Sequence, residues 1–218
     1  ARSKQGIYAT LEAGMNLQIN TTVMKENRSA IPGLLDFASE VDAQIVLLYQ
    51  LVPEGRGEEE MELSIREYRM LTEIVAERQK RNRAIIEPTC SPQYWAYLIG
   101  RNGNKPSRLE MKLAGTLFKG CVAGSGLCYV KPDGEVWPCP FVPVSAGNVR
   151  QQPLDQIWYQ SGLFSCLRDR EKLSGEKCGS CLYKYICGGC RGRAYAHFGD
   201  YLADDPLCFL YPTTTPVS

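Results

Sequence analysis

The stretch Cys178-Gly-Ser-Cys181-Leu-Tyr-Lys-Tyr-Ile-Cys187-Gly-Gly-Cys190 places four thiols within one short segment. Cys121, Cys128 and Cys139 lie upstream of it and Cys208 lies downstream, so eight of the ten cysteines form one pattern across residues 121–208. Thiols this dense are typical of metal ligands in a compartment that keeps cysteine reduced. We therefore expect this part of the chain to fold around metal.

The spacing of the thiols discriminates between kinds of metal site. Structural zinc sites usually separate two close cysteine pairs by about a dozen residues or more. Here only five residues separate Cys181 from Cys187. Such short spacing is more typical of iron–sulfur clusters, and Gly179, Gly188 and Gly189 would let the backbone turn tightly and bring its amides near cluster sulfurs. The spacing favours iron–sulfur, with zinc as the second alternative and disulfides as the third.

The whole cysteine pattern resembles the SPASM auxiliary-cluster domain of radical S-adenosylmethionine (SAM) enzymes. Cys121, Gly134 and Cys139 match the first part of that pattern, residues 178–190 match its central run, and Cys208 matches its end. One spacing departs from it: many members have three residues between the last two cysteines of the central run, and this chain has two glycines there.

Three further phrases resemble the branch that includes haem and haem d1 biosynthesis proteins: Pro138-Cys139-Pro140-Phe141, Gly147-Asn148-Val149-Arg150 and Gly199-Asp200-Tyr201-Leu202-Ala203-Asp204-Asp205-Pro206. That branch implies an enzyme that modifies a tetrapyrrole or similar cofactor precursor, with an electron donor such as ferredoxin or flavodoxin. Two alternatives stay open. One is a peptide or protein maturase that makes crosslinks or oxidised side chains, and the other is a non-catalytic iron–sulfur or zinc interaction module.

Strand and helix patterns alternate in the first 88 residues. Residues 17–23 are rich in β-branched side chains and residues 44–52 are almost continuously apolar, so both are predicted strands. Apolar residues at helical spacing follow each strand, and Ser64 with Glu67 makes a capping box for the second helix. This order predicts parallel βα units.

Two phrases here, Asn20-Thr21-Thr22-Val23 and Leu51-Val52-Pro53-Glu54-Gly55-Arg56-Gly57, resemble the second half of the partial (β/α)6 barrel of radical SAM enzymes. The predicted fold class is α/β: half a barrel at 1–88, a linker or flap at 89–118, a small α+β SPASM domain at 119–211 and a tail at 212–218. Ligands of such barrels bind beyond the carboxyl ends of the strands. The resemblance therefore implies SAM contacts by residues after two strands: Asn20, Thr21, Leu51 and Val52.

The CxxxCxxC loop that holds the SAM-cleaving cluster of radical SAM enzymes is absent from the sequence. The chain also has no initiator methionine and starts within a predicted helix, so we expect an N-terminally truncated protein. The intact parent would use SAM and its own [4Fe-4S] cluster to form a 5′-deoxyadenosyl radical, and the fragment alone would be inactive. The sequence identifies no catalytic residue.

The resemblance also implies a ligand set, because the cysteines of SPASM domains interleave. The nearer auxiliary [4Fe-4S] cluster would be held by Cys121, Cys128, Cys139 and Cys190. The outer one would be held by Cys178, Cys181, Cys187 and Cys208. The short gap before Cys190 leaves a single auxiliary cluster as an alternative. Two cysteines lie outside the set. Cys90 is predicted to lie near the substrate or to be an inert core thiol, and Cys166 to be a core thiol.

Charge and hydropathy exclude several partners. The formal net charge is +1 and no long basic run occurs, so nucleic acid is not an expected partner. No apolar run approaches the roughly 20 residues that span a bilayer, and no signal peptide is evident, so we expect a cytoplasmic protein without a membrane partner. Arg56, Arg150, Arg191 and Arg193 offer guanidinium groups to substrate carboxylates, with a structural role as the alternative for each.

Overall fold

The computed structural model describes residues 2–101, 103 and 106–210. These form two compact units, one of residues 2–51 and 60–89 and the other of residues 52–59 and 90–210. The predicted tail at 212–218 lies outside the described residues. Within the described part of the chain, no helix combines the length and the apolar character that a bilayer crossing requires.

The first unit is a three-stranded parallel sheet with helices between its strands. Its elements are α1 (Arg2–Glu12), β1 (Gln18–Val23), a 3-10 turn (Arg28–Ala30), α2 (Ile31–Glu40), β2 (Ile45–Gln50), a 3-10 turn that starts in the second unit (Glu59–Met61), α3 (Ile65–Gln79) and β3 (Ile85–Thr89). The strand order is β1-β2-β3, and both pairs are parallel. The predicted parallel βα units are confirmed.

The helices of this unit form where the sequence pattern places them. Helix α2 buries Ile31, Leu35 and Ala38, which recur at the spacing of one helical face. Helix α3 begins with the predicted capping box, because the Ser64 hydroxyl accepts from the amide of Glu67 while the Glu67 carboxylate accepts from the amide of Ser64. Local side-chain chemistry therefore fixes the start of α3.

The strand ends differ from the prediction in two ways. Asn20 and Thr21 lie inside β1, within the strand predicted at 17–23 and not after it as the SAM assignment implied, because the parallel ladder continues to the pair Val23↔Gln50. The predicted strand at 44–52 is shorter at both ends, so Leu51 and Val52 follow β2 as expected. Both are buried, at 9% and 3% exposure, whereas Asn20 is exposed.

The second unit is built from short elements. They are α4 (Gln93–Gly100), α5 (Arg108–Leu117), β4 (Tyr129–Val130), β5 (Glu135–Trp137), β6 (Gly147–Asn148), α6 (Leu154–Gln160), α7 (Gly162–Arg168), a 3-10 turn (Arg170–Lys172), α8 (Glu176–Ser180) and α9 (Arg191–Phe198). A hairpin turns around Gly134, since β4 and β5 pair antiparallel, and β6 adds a third strand on the other edge of β5.

Two small apolar clusters and the cysteine loops share the second unit. One cluster contains Val136, Ile157 and Phe164, and the other contains Met111, Tyr185 and Ile186. The region 89–118, predicted as a linker or flap, contributes two helices, and Met111 on α5 belongs to the second cluster. With cores this small, the long loops between elements hold most of the thiols.

Candidate metal centre

Four thiols of the predicted outer set line one cavity in the second unit. Cys178 lies on α8, Cys181 caps the end of that helix, Cys187 lies in the loop before α9, and Cys208 lies in the segment after α9. The two glycines of the central run line the same cavity. The structure thus brings together side chains that are up to 30 positions apart in the chain.

A second group of thiols converges around Cys190, the residue that caps the start of α9. Cys139 interacts electrostatically with both Cys121 and Cys190. The thiol of Cys90 is hydrogen-bonded to Cys190 and also interacts with Cys121. Three of the four thiols predicted for the nearer cluster therefore lie in this group, and Cys90 is in it as well.

Two cysteines lie elsewhere in the second unit. Cys128 packs against the apolar cluster of Val136, Ile157 and Phe164. Cys166 is on α7, where the ammonium of Lys172 lies 3.7 Å from its sulfur. The sequence predicted Cys166 as a core thiol, whereas its side chain is only partly buried.

Backbone amides donate to the sulfurs in a repeated local turn. The amide of Tyr183 lies 3.4 Å from the sulfur of Cys181, and the amide of Gly189 lies 3.4 Å from the sulfur of Cys187. The same relation between a cysteine and the residue two positions later holds for Cys139 with Phe141 and for Cys208 with Leu210. Amide donors directed at sulfur stabilise a thiolate and are one means by which proteins tune iron–sulfur clusters.

The glycine pair of the central run is required by its backbone. Gly188 and Gly189 have φ values of 67° and 64°, in the left-handed region that favours glycine. A Cβ added to Gly189 would lie 2.7 Å from the Cβ of Asp205 and 3.3 Å from the sulfur of Cys178. The two glycines let the chain reverse next to the thiols where no side chain fits.

A fully buried carboxylate holds the loop of the central run. Asp205 accepts from the amide of Cys190 at 2.7 Å, from the amide nitrogen of the Gln93 side chain at 2.6 Å and from two guanidinium nitrogens of Arg193 at 2.8 Å each. Burial opposes ionisation of Asp205, but the Arg193 charge and these hydrogen bonds outweigh it and lower the pKa of the carboxyl. The pair therefore stays ionised at neutral pH and fixes the start of α9.

Comparison with known proteins assigns the cysteine-rich region. The sequence pattern of the SPASM family, described as an iron–sulfur cluster-binding domain, matches residues 121–182. These residues are therefore similar to a SPASM domain. The predicted auxiliary-cluster domain is thereby confirmed, and its matched range contains five cysteines of the ligand set, Cys121, Cys128, Cys139, Cys178 and Cys181.

Relatives extend the likeness beyond the SPASM domain. The AdoMet-dependent heme synthase of Methanosarcina barkeri (strain Fusaro / DSM 804) is 39% identical over 213 residues, which are 97% of this chain and 61% of that protein. The PqqA peptide cyclase of Rhizobium meliloti (strain 1021) is 40% identical over 101 residues, which are 43% of this chain and 27% of the cyclase. The chain thus spans less than two thirds of either relative.

Solved structures confirm the predicted fold. Streptococcus suis SuiB bound to S-adenosylmethionine superposes with a TM-score of 0.61 at 19% identity, over 91% of this chain and 46% of SuiB. The likeness covers both the parallel βα unit and the SPASM domain, so the predicted order of half a barrel followed by a cluster domain is correct. At this level of identity the likeness concerns the fold alone.

Buried arginines surround the thiols of the SPASM region. Arg191 is fully buried, and its guanidinium binds the carbonyls of Tyr201 and Ala203 and lies 3.9 Å from the sulfur of Cys178. Arg170 is 5% exposed and donates to the carbonyl of Cys121, while its Nε has no partner among the described residues. Arg191, like Arg193 with its carboxylate, is committed within the fold, which favours the structural role that the sequence left as the alternative for both.

Burial favours the protonated form of several of these thiols. Burial raises the pKa of Cys178 to about 11 and that of Cys208 to about 12, and it raises the pKa of Cys187 and Cys139 as well. The hydrogen bond from Cys90 has the opposite effect on its partner and lowers the pKa of Cys190. Metal that binds these sulfurs must therefore displace protons.

The arrangement fits a cluster better than a single ion. Among the described residues, no three His, Cys, Asp or Glu side chains are close enough to hold one metal ion. In a cuboidal cluster each thiolate binds a different iron, so its four sulfurs stand farther apart than the ligands of one zinc ion. The cavity with thiols on its walls, the amide donors and the buried cations all suit an anionic iron–sulfur core.

Proposed function

We propose that this chain is the cluster-bearing C-terminal part of a SAM-dependent radical enzyme that modifies a tetrapyrrole or a similar cofactor precursor. The observation that carries the proposal is the convergence of thiols into two groups beside buried arginines, within a SPASM domain that continues a parallel βα unit. The similarity to an AdoMet-dependent heme synthase along 97% of the chain supports the tetrapyrrole class.

The outer auxiliary cluster would be held by the four thiols that line one cavity. Loop amides and the glycine turn order its ligands, Cys178, Cys181, Cys187 and Cys208. The nearer cluster would receive three of its four thiolates from Cys121, Cys139 and Cys190. The resemblance in sequence assigns the fourth to Cys128. When bound, fully ligated clusters supply single-electron transfer.

The side chains around the thiols have definite tasks in this proposal. Arg191 would donate to the Cys178 thiolate and offset its charge. Arg170 would direct its free Nε–H toward cluster sulfur beside Cys121. Donors and positive charge near the sulfurs raise the reduction potential of a cluster, so these two arginines would favour acceptance of an electron.

SAM contacts by Asn20, Thr21, Leu51 and Val52 are part of the same proposal. Leu51 and Val52 follow β2, which is where ligands of α/β barrels bind. Asn20 and Thr21 lie within β1, so a contact from them would have to come from the strand itself. A cytoplasmic location and a ferredoxin or flavodoxin donor belong to the proposal too.

A peptide maturase is the second candidate, and one observation favours it. The match to a PqqA peptide cyclase reaches 40% identity, although it covers only 43% of this chain. The two candidates predict different activators of SAM cleavage. The parent enzyme, purified without oxygen and supplied with a reductant, should release more 5′-deoxyadenosine with an iron porphyrin that bears carboxylates than with precursor-like peptides. The reverse preference would replace the tetrapyrrole assignment with the peptide one.

The cluster assignment has its own test. After anaerobic reconstitution we expect about eight irons and about eight acid-labile sulfides per chain, as two [4Fe–4S] clusters require. About four of each would reduce the proposal to one auxiliary cluster. Stoichiometric zinc without sulfide would contradict the radical SAM assignment of this domain and support a zinc-stabilised interaction module.

A further inference from the structure

Cys90 occupies a position that its local sequence does not explain. It is the first residue after β3, and its φ of 56° lies in the left-handed region, which few residues other than glycine adopt. Its carbonyl accepts from the guanidinium of Arg193 at 3.3 Å. Because Arg193 is fully buried and paired with Asp205, this contact links the Cys90 backbone to a buried ion pair.

The fixed backbone directs the Cys90 thiol into the nearer group. The thiol is hydrogen-bonded to the thiol of Cys190, at the start of α9. It also interacts with Cys121, and Cys139 interacts with both Cys121 and Cys190. Four thiols from four separate segments of the chain therefore meet here, which is the number that a fully ligated cluster requires.

Cys128 occupies a different environment. It directly precedes β4 and packs on the apolar cluster of Val136, Ile157 and Phe164. Strand β4, which follows Cys128, is held in the hairpin, because Tyr129 pairs with Trp137 and the two rings lie 5.9 Å apart. Cys128 is thus placed on the apolar cluster beside the hairpin, whereas Cys90 is placed among the thiols.

We propose that Cys90, and not Cys128, supplies the fourth thiolate of the nearer auxiliary cluster. This inference rests on the proposed function, since it presupposes that a cluster binds at Cys121, Cys139 and Cys190. Binding breaks the S–H bond of Cys90, releases its proton to solvent and forms one iron–sulfur bond, with no change in the oxidation state of the cysteine.

The test compares three serine variants of this chain after anaerobic reconstitution. C128S and C166S should keep the wild-type content of iron and sulfide. C90S should lose up to half of both, or keep a nearer cluster that loses one iron and shows the electron paramagnetic resonance signal of a three-iron species. The outer cluster serves as the folding control, because a C90S chain that retains about four irons has folded its SPASM region.

Each other outcome is decisive. The proposal is overturned if C90S keeps the full iron content. It is also overturned if C128S loses iron, whether or not C90S loses iron as well. A C90S chain that holds no iron at all is settled by Cys90→Asp, because carboxylate is an alternative ligand: restored iron supports ligation, and continued loss assigns Cys90 a structural role and overturns the proposal. If wild-type chain holds zinc and no sulfide, the proposed function fails, and that result is distinct from any difference between variants.

Discussion

Replacement of Asp205 by asparagine tests the buried polar network that holds the cysteine loop. The carboxylate is 1% exposed and its partner Arg193 is fully buried. One oxygen accepts from the amide of Cys190, from Gln93 and from Arg193, and the other accepts from Arg193 and from the amide of Leu207. An asparagine amide group would face at least two donors in either orientation, and the Arg193 charge would lose its counter-charge.

The expected loss of stability in D205N follows from the buried charge that would lose its counter-charge. Removing one member of a buried ion pair typically costs about 3–5 kcal/mol, because the other charge remains buried. We expect D205N to lower the free energy of unfolding by that amount. Urea unfolding followed by tryptophan fluorescence is a suitable measurement, since all three tryptophans, Trp95, Trp137 and Trp158, lie in the second unit. D133N is the control, because it removes an exposed pair with Lys131 and should cost less than about 1 kcal/mol.

The dependence on pH has a definite sign. The folded state lowers the pKa of Asp205, so its contribution is present above the unfolded value of about 3.9 and is lost as the pH falls through the lower folded value. The difference between wild type and D205N should therefore be constant near neutral pH and shrink below about pH 4. A D205N loss no larger than that of D133N at pH 7 would refute the idea that this pair fixes the loop.

Three other predictions concern the metal centre. G189A should cost at least about 1–3 kcal/mol of stability from its left-handed backbone and reduce iron content, whereas G162A, where an added Cβ meets nothing within 4 Å, should change neither. R170Q should shift the auxiliary reduction potentials to more negative values in a redox titration, because it removes a buried cation, while R170K should shift them less. Iron loading of the folded chain should improve as the pH rises from about 6 to about 9, because metal must displace protons from thiols whose pKa values are raised, to about 11 for Cys178 and about 12 for Cys208. Iron loading that is independent of pH would contradict the burial of these thiols.

The sequence was informative where a structure depends on neighbours in the chain. The capping box at Ser64 and Glu67 and the glycine turn at Gly188 and Gly189 depend on a few consecutive residues, and both are present. The same signal was overlooked once: Ser107 and Glu110 also form a capping box, and they start α5 inside the region predicted as a linker. A search for this motif along the whole chain would have identified that helix.

The sequence was uninformative where a residue's role depends on distant segments. Cys90 and Cys190 are 100 positions apart, and no local pattern reports that their thiols touch. Arg191 and Arg193 follow the central run, and their sequence context resembles that of exposed cations. In the fold both are buried, and Arg193 pairs with the carboxylate of Asp205, 12 positions later. Which thiols share a cluster, and which cations serve the fold, is decided by tertiary contacts that spacing does not encode.

The buried charges of the second unit indicate that an anionic cofactor completes its core. Four cations are buried there, Arg170, Lys184, Arg191 and Arg193, and Asp205 is the buried acid among the described residues of that unit. Arg193 pairs with Asp205 and Lys184 pairs with the half-exposed Glu171, which leaves Arg170 and Arg191 with backbone carbonyls and cysteine sulfurs as partners. A buried charge without a counter-charge costs several kcal/mol. When the thiols lose their protons to bind iron, the resulting negative charge lies beside these two guanidinium groups. Cluster binding would therefore remove an electrostatic penalty as well as form metal–sulfur bonds, and it should stabilise this unit more than the rest of the chain.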